Sequence, residues 1–159
     1  MSWRSSRTGF GSEIPVIPIS SLAALAQTAI DAHQIADSTL LLSTLDARMD
    51  EIYWGVYQAT NGLVELQGSE SLTTPEQLVI PQSMFEVGEI LAIGHGLNYG
   101  QRIACAAKIS MLDATLLPRA SAVLRLACSK YQEGHLLSAH EALPLYLRDQ
   151  VTWKKLAEQ

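Results

Sequence analysis

Acidic residues concentrate in one short segment of this 159-residue chain, DARMDE at positions 46–51. Two carboxylates can share general acid and base work only if both face one cleft, whereas adjacent side chains of an extended strand point to opposite sides. Asp50 and Glu51 are adjacent, so this rule counts against a catalytic pair. We therefore expect the charges of Asp46, Arg48 and Glu51 to fix a turn between two strands, since charged turns are common there.

A glycine-rich segment, Gly94-His95-Gly96, is the second candidate site. It follows a predicted strand, where a turn that leads into a helix can receive a phosphate. Its spacing matches neither GxGxxG nor GxxxxGK[ST], so the tight turning that glycine allows is the favoured explanation. We expect the chain to bind no cofactor.

Metal binding and nucleophilic catalysis find little support in the sequence. No histidine is paired with Cys, Asp or Glu at a recognised metal-ligand spacing, so we expect no metal site. Serine and cysteine are present, but no GxSxG elbow places a nucleophile beside a base. We expect no catalytic residues. The histidines are His33, His95, His135 and His140.

The C-terminal tail mixes cations with aromatics and could either grip nucleic acid or pack on the domain. A base could stack on Trp153 while Arg148 and Lys154 hold phosphate. The formal net charge of −5, from 11 basic and 16 acidic residues, opposes such binding and favours packing. We therefore expect Tyr146, Arg148, Trp153 and Lys154 to anchor the tail.

Composition points to a cytoplasmic protein without a membrane segment. No apolar run approaches the roughly 20 residues that a spanning helix requires, and no apolar stretch typical of a signal peptide follows the N-terminal arginines. The two cysteines, Cys105 and Cys128, are too few and too far apart for a disulfide framework. We expect both to be small apolar core residues.

The elements that must position these residues begin with strands and one helix. Residues 13–19, EIPVIPI, favour a short edge strand, and residues 21–36 form a helix that Ser20 or Ser21 can cap. Residues 39–45 and 52–57 predict a hairpin, with Ile52, Trp54 and Val56 on one face of its second strand and Tyr53 and Tyr57 on the other. The Asn61-Gly62 turn predicts a third strand, which completes a meander.

The second half of the chain continues with helices around one strand. A short helix is expected to start at Thr74-Pro75 and to end at Pro81, and residues 89–94 read as a strand. Residues 118–133 predict a longer helix that ends before Gly134. Its apolar stripe consists of Val123, Leu124, Ala127, Cys128 and Tyr131. The order of elements predicts an α/β fold with a mixed sheet, a three-stranded antiparallel meander and flanking helices.

Three segments together resemble the TsaB (YeaZ) family of bacterial tRNA-modification proteins. They are the Asp46-Ala47-Arg48-Met49 turn with its aromatic strand, the helix from Pro118 to Gly134, and the string PLYLR at 144–148 followed by Trp153-Lys154-Lys155. The resemblance covers nearly all of the chain from Gly11 onward. It implies the RNase H-like half of an actin-like ATPase fold.

The resemblance also implies a role and partners. Family members act with TsaD, the catalytic subunit, and with the ATPase TsaE, to place a threonylcarbamoyl group on the adenosine beside the tRNA anticodon. We therefore expect a non-catalytic scaffold that meets tRNA only through the complex. An older label for the family is M22-type peptidase, so the alternative is a small peptidase or acyl-transfer enzyme.

The sequence departs from the family at its start, where an IDT-like strand and a GPGSFTG-like loop are absent. We expect an N-terminally truncated family member. Residues 1–12 would be an atypical start, 13–37 the remnant of the first half-domain, and 38–159 the second half-domain with its tail. Exposed apolar surface would favour self-association, so a homodimer is possible. An inert gene fragment is the third alternative.

Overall fold

The computed structural model describes residues 14–85, 89–103, 109–144 and 147–148, and a mixed five-stranded sheet lies at its centre. The strands are β1 (Leu40–Arg48), β2 (Glu51–Thr60), β3 (Leu63–Thr73), β4 (Ile90–Ile93) and β5 (Ile109–Asp113). Their order is β3-β2-β1-β4-β5. The first three pair antiparallel, while β4 pairs parallel with both β1 and β5. The predicted meander and mixed sheet are thus confirmed.

The turn between β2 and β3 follows from two residues that tolerate positive φ. Asn61 and Gly62 have φ values of 52° and 74°, and Thr60 pairs with Leu63 across them. Two consecutive left-handed residues form the hairpin turn whose twist matches the strands, which explains the strong Asn-Gly preference. The prediction of a hairpin turn at this position is confirmed.

Strand β2 is covered on both faces, as its alternating side chains predict. Ile52, Trp54 and Val56 belong to one apolar cluster, together with residues of β4. Tyr57 belongs to the cluster on the opposite face, and Tyr53 packs against that cluster. Both faces of the sheet therefore carry a core.

Helix α1 (Ser21–His33) covers the face that contains Tyr57. The Ser20 hydroxyl caps it by accepting from the backbone N–H of Leu22 at 3.1 Å, and the left-handed Gln34 ends it. Ser20 and the Tyr57 phenol both donate to Glu70 on β3, which ties the start of the helix to the sheet. Burial, together with the Glu70 carboxylate, raises the pKa of the Tyr57 phenol.

Short helical segments connect the strands in the parallel half of the sheet. They are two 3-10 helices, Pro75–Gln77 and His95–Arg102, and the single-turn helix α2 (Gln82–Phe85). The helix expected to start at Thr74-Pro75 does start there, but it is one 3-10 turn that ends at Gln77, so the expected end at Pro81 is wrong. Leu78 and Ile80 are buried in the core beside Trp54, which pulls this stretch into an extended path.

Helix α3 (Ala120–Gln132) ends before Gly134, whose φ is 76°, as predicted. Its orientation differs from the expectation, because Ala122 and Leu126 are the buried residues. Most of the predicted stripe faces outward, and the expectation that Cys128 is a core residue is wrong, since it is exposed. Cys105 lies outside the described residues.

The N-terminal strand predicted at residues 13–19 is absent from the described sheet. Glu13 lies outside the described residues, and Val16 forms only an isolated antiparallel bridge with Leu137. Neither edge strand of the described sheet, β3 or β5, pairs with this segment. The division of the chain at residues 12 and 37 stays a prediction.

Candidate functional site

Residues 46–51, which comprise the end of β1, the turn and the first residue of β2 and which we call the hairpin tip, have an unusual backbone. Arg48, Met49 and Asp50 all have left-handed φ values, of 66°, 53° and 65°. Each such non-glycine residue costs on the order of 1 kcal/mol or more, so other contacts must stabilise the conformation. One of these contacts is local, since the Asp46 carboxylate accepts from the backbone N–H of Arg48 at 2.8 Å.

The adjacent acids of the hairpin tip bind two different arginines. Asp50 accepts from Arg102 Nη1 at 2.9 Å, whereas Glu51 accepts from Arg148. The Nε of Arg102 donates to Glu76, and this hydrogen bond lowers the pKa of Glu76 to about 2. The two carboxylates therefore bind separate partners, although not through strand alternation, because Asp50 lies in the turn with a left-handed φ.

Arg148, in the C-terminal tail, donates hydrogen bonds to the hairpin tip. Its Nη2 donates to the carbonyl oxygen of Ala47 at 3.1 Å as well as to Glu51, and its Nη1 lies 3.3 Å from the sulfur of Met49. The side chain is only 16 % exposed. A guanidinium presents several donors in a fixed plane, so one side chain can bind the strand end and the loop together.

The other predicted tail residues, Tyr146, Trp153 and Lys154, lie outside the described residues. Arg48, in contrast, is described and leaves its side chain 87 % exposed, with its Nη1 3.8 Å from the Asp46 carboxylate. An exposed pair at this distance contributes little to stability. Among the arginines that touch the hairpin tip, Arg102 and Arg148 therefore carry the stabilising contacts.

His95 connects the hairpin tip to the glycine-rich turn. The backbone N–H of Asp46 donates to His95 Nδ1 at 2.9 Å. Because Nδ1 accepts this bond, the ring proton of the neutral imidazole is on Nε2. The ring therefore has a structural contact at the end of β1, which sequence reasoning did not assign to it.

Close packing explains the glycines of the Gly94-His95-Gly96 turn. A Cβ atom on Gly94 would lie 2.1 Å from the carbonyl oxygen of Thr44, and one on Gly96 would lie 2.8 Å from the Cβ of Thr44. The N–H of Gly94 already donates to the carbonyl of Asp113 at 2.8 Å. The geometry thus agrees with tight turning and leaves no free N–H on Gly94 for a phosphate.

Titratable side chains elsewhere form pairs and do not cluster. His33 Nε2 lies 3.7 Å from the Asp113 carboxylate, whose pKa is held below its usual range chiefly by hydrogen bonds from Thr115. His135 lies 3.2 Å from Glu133 at the end of α3. In the described part of the chain, no group of three His, Cys, Asp or Glu side chains is arranged to hold a metal ion.

A shallow apolar cavity of about 160 Å³ lies beside β4 and β5. Its lining contains no titratable side chain, so it offers no acid, base or nucleophile. The lining residues are Ala92, Leu97, Gly100, Ile103, Ile109 and Met111.

Sequence reasoning missed the contacts that two residues, Arg102 and His95, make with the hairpin tip. Arg102 was not singled out, although it is the only cation in the segment HGLNYGQR. It also lies 5.6 Å from the centre of the Tyr99 ring, which adds a cation–π contact. His95 was weighed only as part of a phosphate loop. The one signal in the sequence was Arg102 itself, a single arginine close to Tyr99 in the chain.

No helix in the described parts of the chain is long and apolar enough to cross a membrane. The site as a whole contains static ion pairs, backbone contacts and no converging acid, base and nucleophile among the described residues. Such an arrangement fixes the shape of a surface.

Comparisons with known proteins agree on one family. Residues 7–156 match the family model described as TsaD, tRNA N6-adenosine threonylcarbamoyltransferase. The chain is 34% identical over 149 residues to the tRNA threonylcarbamoyladenosine biosynthesis protein TsaB of Escherichia coli K12, and 33% identical over 160 residues to TsaB of Haemophilus influenzae. Each match covers 92% of this chain and 62% of the relative. The chain thus spans less than two thirds of the curated relatives it matches.

Solved structures give the same result for the fold. YeaZ from Pseudomonas aeruginosa superposes with a TM-score of 0.78 at 35% identity, over 89% of this chain and 63% of that one. A second Pseudomonas aeruginosa structure, described as similar to peptidase YEAZ, gives a TM-score of 0.79 at 36% identity and covers 90% and 63% of the two chains. These matches confirm the expected α/β fold of the actin-like, RNase H-like type.

Proposed function

Because this chain belongs to the TsaB (YeaZ) family, we propose that it is a non-catalytic accessory subunit in the biosynthesis of threonylcarbamoyladenosine in tRNA. In this proposal it acts with TsaD-type and TsaE-type proteins and meets tRNA only through their complex. The family match over residues 7–156 is the observation that carries the proposal. The relatives' names supply the pathway, since they are called biosynthesis proteins for this nucleoside.

The arrangement of charges supports a scaffold over an enzyme. Asp50 and Glu51 are hydrogen-bonded to two different arginines, Arg102 and Arg148. A general acid–base pair needs two groups that face one cleft, whereas each of these carboxylates is engaged by its own arginine. The net charge of −5 likewise favours contact with tRNA through a partner over direct contact.

We assign the hairpin tip and the tail to one partner-contact surface. Arg148 joins the two, because its guanidinium binds Glu51 and the end of β1. Arg48 and Met49 project from the surface so formed, and both are largely exposed. The proposed surface consists of Asp46, Arg48, Glu51, Tyr146, Arg148, Trp153 and Lys154.

Co-purification tests this proposal. The tagged chain is mixed at micromolar concentration with purified TsaD-type and TsaE-type proteins of one bacterial species, and the bound fraction is measured with and without tRNA. We expect retention of the TsaD-type protein, and retention of tRNA only when that protein is present. Failure to retain either protein would favour the inert-fragment alternative.

A matched pair of variants locates the contact. Arg48→Glu reverses an exposed charge on the hairpin tip, whereas Lys130→Glu reverses a charge on α3, remote in sequence from the proposed surface. We expect only Arg48→Glu to weaken retention. Turnover of a peptide library that Glu51→Gln abolishes would instead support the peptidase alternative.

A further inference from the structure

The side chain of Met49 combines exposure to solvent with a contact to a guanidinium. Met49 is 62% exposed, and its sulfur accepts from Arg148 Nη1 at 3.3 Å. A thioether that oxidants can reach is converted to the sulfoxide, which is polar and chiral and which methionine sulfoxide reductases convert back. Met49 is therefore a candidate for reversible oxidation.

Arg148 has more donors at this position than the described residues have good acceptors. Its Nη2 donates to the Glu51 carboxylate and to the carbonyl oxygen of Ala47. Its Nη1, in contrast, has only the Met49 sulfur within hydrogen-bonding distance among the described residues, and its buried Nε has no partner among them. Thioether sulfur is a weak acceptor. An oxygen atom bonded to this sulfur would therefore give Nη1 the acceptor that it lacks.

The other described methionines do not have this combination. Met111 is 68% exposed, but it lines the apolar cavity beside β4 and β5, and its sulfur accepts no hydrogen bond within the described chain. Met84 packs against the apolar cluster that contains Trp54. Met111 therefore provides an internal reference, because it is as accessible as Met49 but has no guanidinium donating to it.

We propose that Met49 is a site of reversible oxidation by hydroperoxides, and that Arg148 donates to the sulfoxide oxygen and thereby holds the C-terminal tail more tightly on the hairpin tip. In the reaction with hydrogen peroxide, the sulfur lone pair attacks one peroxide oxygen, an S–O bond forms and the O–O bond breaks. The hydroxyl proton moves to the departing oxygen, which leaves as water. The sulfur loses two electrons and the peroxide gains them. The reverse step, which a reductase carries out with two thiols, yields the thioether, a disulfide and water.

Oxidation of Met49 should stabilise the hairpin tip. Arg48, Met49 and Asp50 have left-handed φ values, and the contacts from Arg148 offset part of the cost of this conformation. A hydrogen bond from an ionised donor to oxygen is stronger than one to a thioether. The oxidised tip should therefore open less often than the reduced tip. This effect does not depend on the accessory role proposed above, although Met49 projects from the same surface.

Peptide mass spectrometry tests the site of oxidation. The full natural chain is treated with hydrogen peroxide under native conditions, and the sulfoxide at each methionine is quantified before and after incubation with methionine sulfoxide reductases and a dithiol. We expect Met49 and Met111 to be oxidised about fivefold faster than Met84 or more, and the reductases to restore Met49. A Met49 that stays reduced while Met111 is oxidised would overturn the proposal.

Amide exchange tests the role of Arg148. Oxidation of the natural chain is expected to raise amide protection at residues 47–51 by about threefold or more, and to leave it unchanged in Met49→Leu, whose other methionines still oxidise. Arg148→Ala is expected to abolish the gain in protection. Unchanged or lower protection in the oxidised natural chain, or an equal gain in Arg148→Ala, would count decisively against the proposal.

A second pair of variants needs neither oxidant nor a change at Arg148. Met49→Gln places an oxygen acceptor where the sulfoxide would have one, whereas Met49→Leu has no acceptor there. We expect higher protection at residues 47–51 in Met49→Gln than in Met49→Leu. Equal protection in the two variants would show that Arg148 does not use an oxygen at this position.

Discussion

The hairpin tip and the Gly94-His95-Gly96 turn are neighbours in the fold, and different kinds of contact stabilise each of them. The tip is held by long charged side chains, chiefly Arg102 and Arg148. The turn is held by close backbone packing, because no Cβ atom fits between Gly94 and Thr44. His95 joins them through its bond to the N–H of Asp46.

The two segments should respond differently to substitutions and to changes in pH and salt. Close packing fails when a single carbon is added, because neighbouring backbone cannot move away cheaply. Ion pairs between side chains can be lost one at a time, and their strength depends on pH and salt. The hairpin tip, which ion pairs hold, can therefore adapt to a partner, whereas the tightly packed glycine turn can only support the tip.

Gly94→Ala has the largest expected effect. The added Cβ would lie 2.1 Å from the carbonyl oxygen of Thr44, and the φ of 91° is unfavourable for alanine. Overpacking and backbone strain together are expected to lower the free energy of unfolding by about 4 kcal/mol or more. Chemical denaturation monitored by circular dichroism measures this loss.

Three other glycines separate the two causes. In Gly96→Ala the new Cβ would lie 2.8 Å from the Cβ of Thr44, but the backbone φ is not positive. In Gly68→Ala the φ of 88° is unfavourable for alanine, but no atom lies within 4 Å of the new Cβ. Gly100→Ala adds neither. We expect a loss of about 1–3 kcal/mol for Gly96→Ala, about 1 kcal/mol for Gly68→Ala and about zero for Gly100→Ala. A Gly94→Ala variant as stable as Gly100→Ala would contradict the packing argument.

Arg148→Ala is expected to have the next largest effect, and to act on the hairpin tip. It removes the donors to Glu51 and to the carbonyl of Ala47, and leaves a partly buried carboxylate unpaired. We expect a loss of about 1–3 kcal/mol in the free energy of unfolding, with faster amide exchange at residues 47–51. Denaturation and hydrogen exchange by mass spectrometry measure the two effects.

Arg48→Ala is the control for Arg148→Ala, since it removes an arginine from the same loop whose side chain is 87% exposed. Its expected effect is below about 0.5 kcal/mol. Arg148→Lys retains the charge but cannot reach both the carboxylate and the carbonyl, so it should recover only part of the loss. Equal effects of Arg48→Ala and Arg148→Ala would show that the tail contact does not stabilise the tip.

The same contrast explains how much the sequence could predict. Local signals determine α1 with its Ser20 cap, the Asn61-Gly62 turn and the two faces of β2, and these predictions are confirmed. Each of these features depends on residues close together in the chain, where periodicity and turn preferences carry information. The tight turn at Gly94-His95-Gly96 was predicted as well, but its close packing against the distant Thr44 was not.

Contacts between distant residues could not be predicted in this way. Asp50 and Arg102 are 52 positions apart, and Glu51 and Arg148 are 97 apart, so no spacing rule links them. The orientation of α3 was wrong for a related reason. Both of its sides carry apolar residues, and the polar contacts of Arg125 and Arg119 with α1 decide which side is buried.

The smallest expected effect concerns Glu76, which pairs with Arg102. The hydrogen bond from Arg102 lowers the pKa of Glu76 to about 2 in the folded chain, against an ordinary value of 4.5. A lowered folded pKa adds stability that is fully present above pH 4.5 and is lost as the pH falls toward 2. Unfolding midpoints of the natural chain and of Glu76→Gln, measured from pH 6 to pH 2, should therefore differ most at pH 6 and converge near pH 2.

The difference between the two midpoints should also shrink in high salt, because the Glu76–Arg102 pair is exposed to solvent. A difference that is constant from pH 6 to pH 2 would mean that the glutamate acts through packing, and the tip would then resemble the glycine turn more closely than its ion pairs suggest.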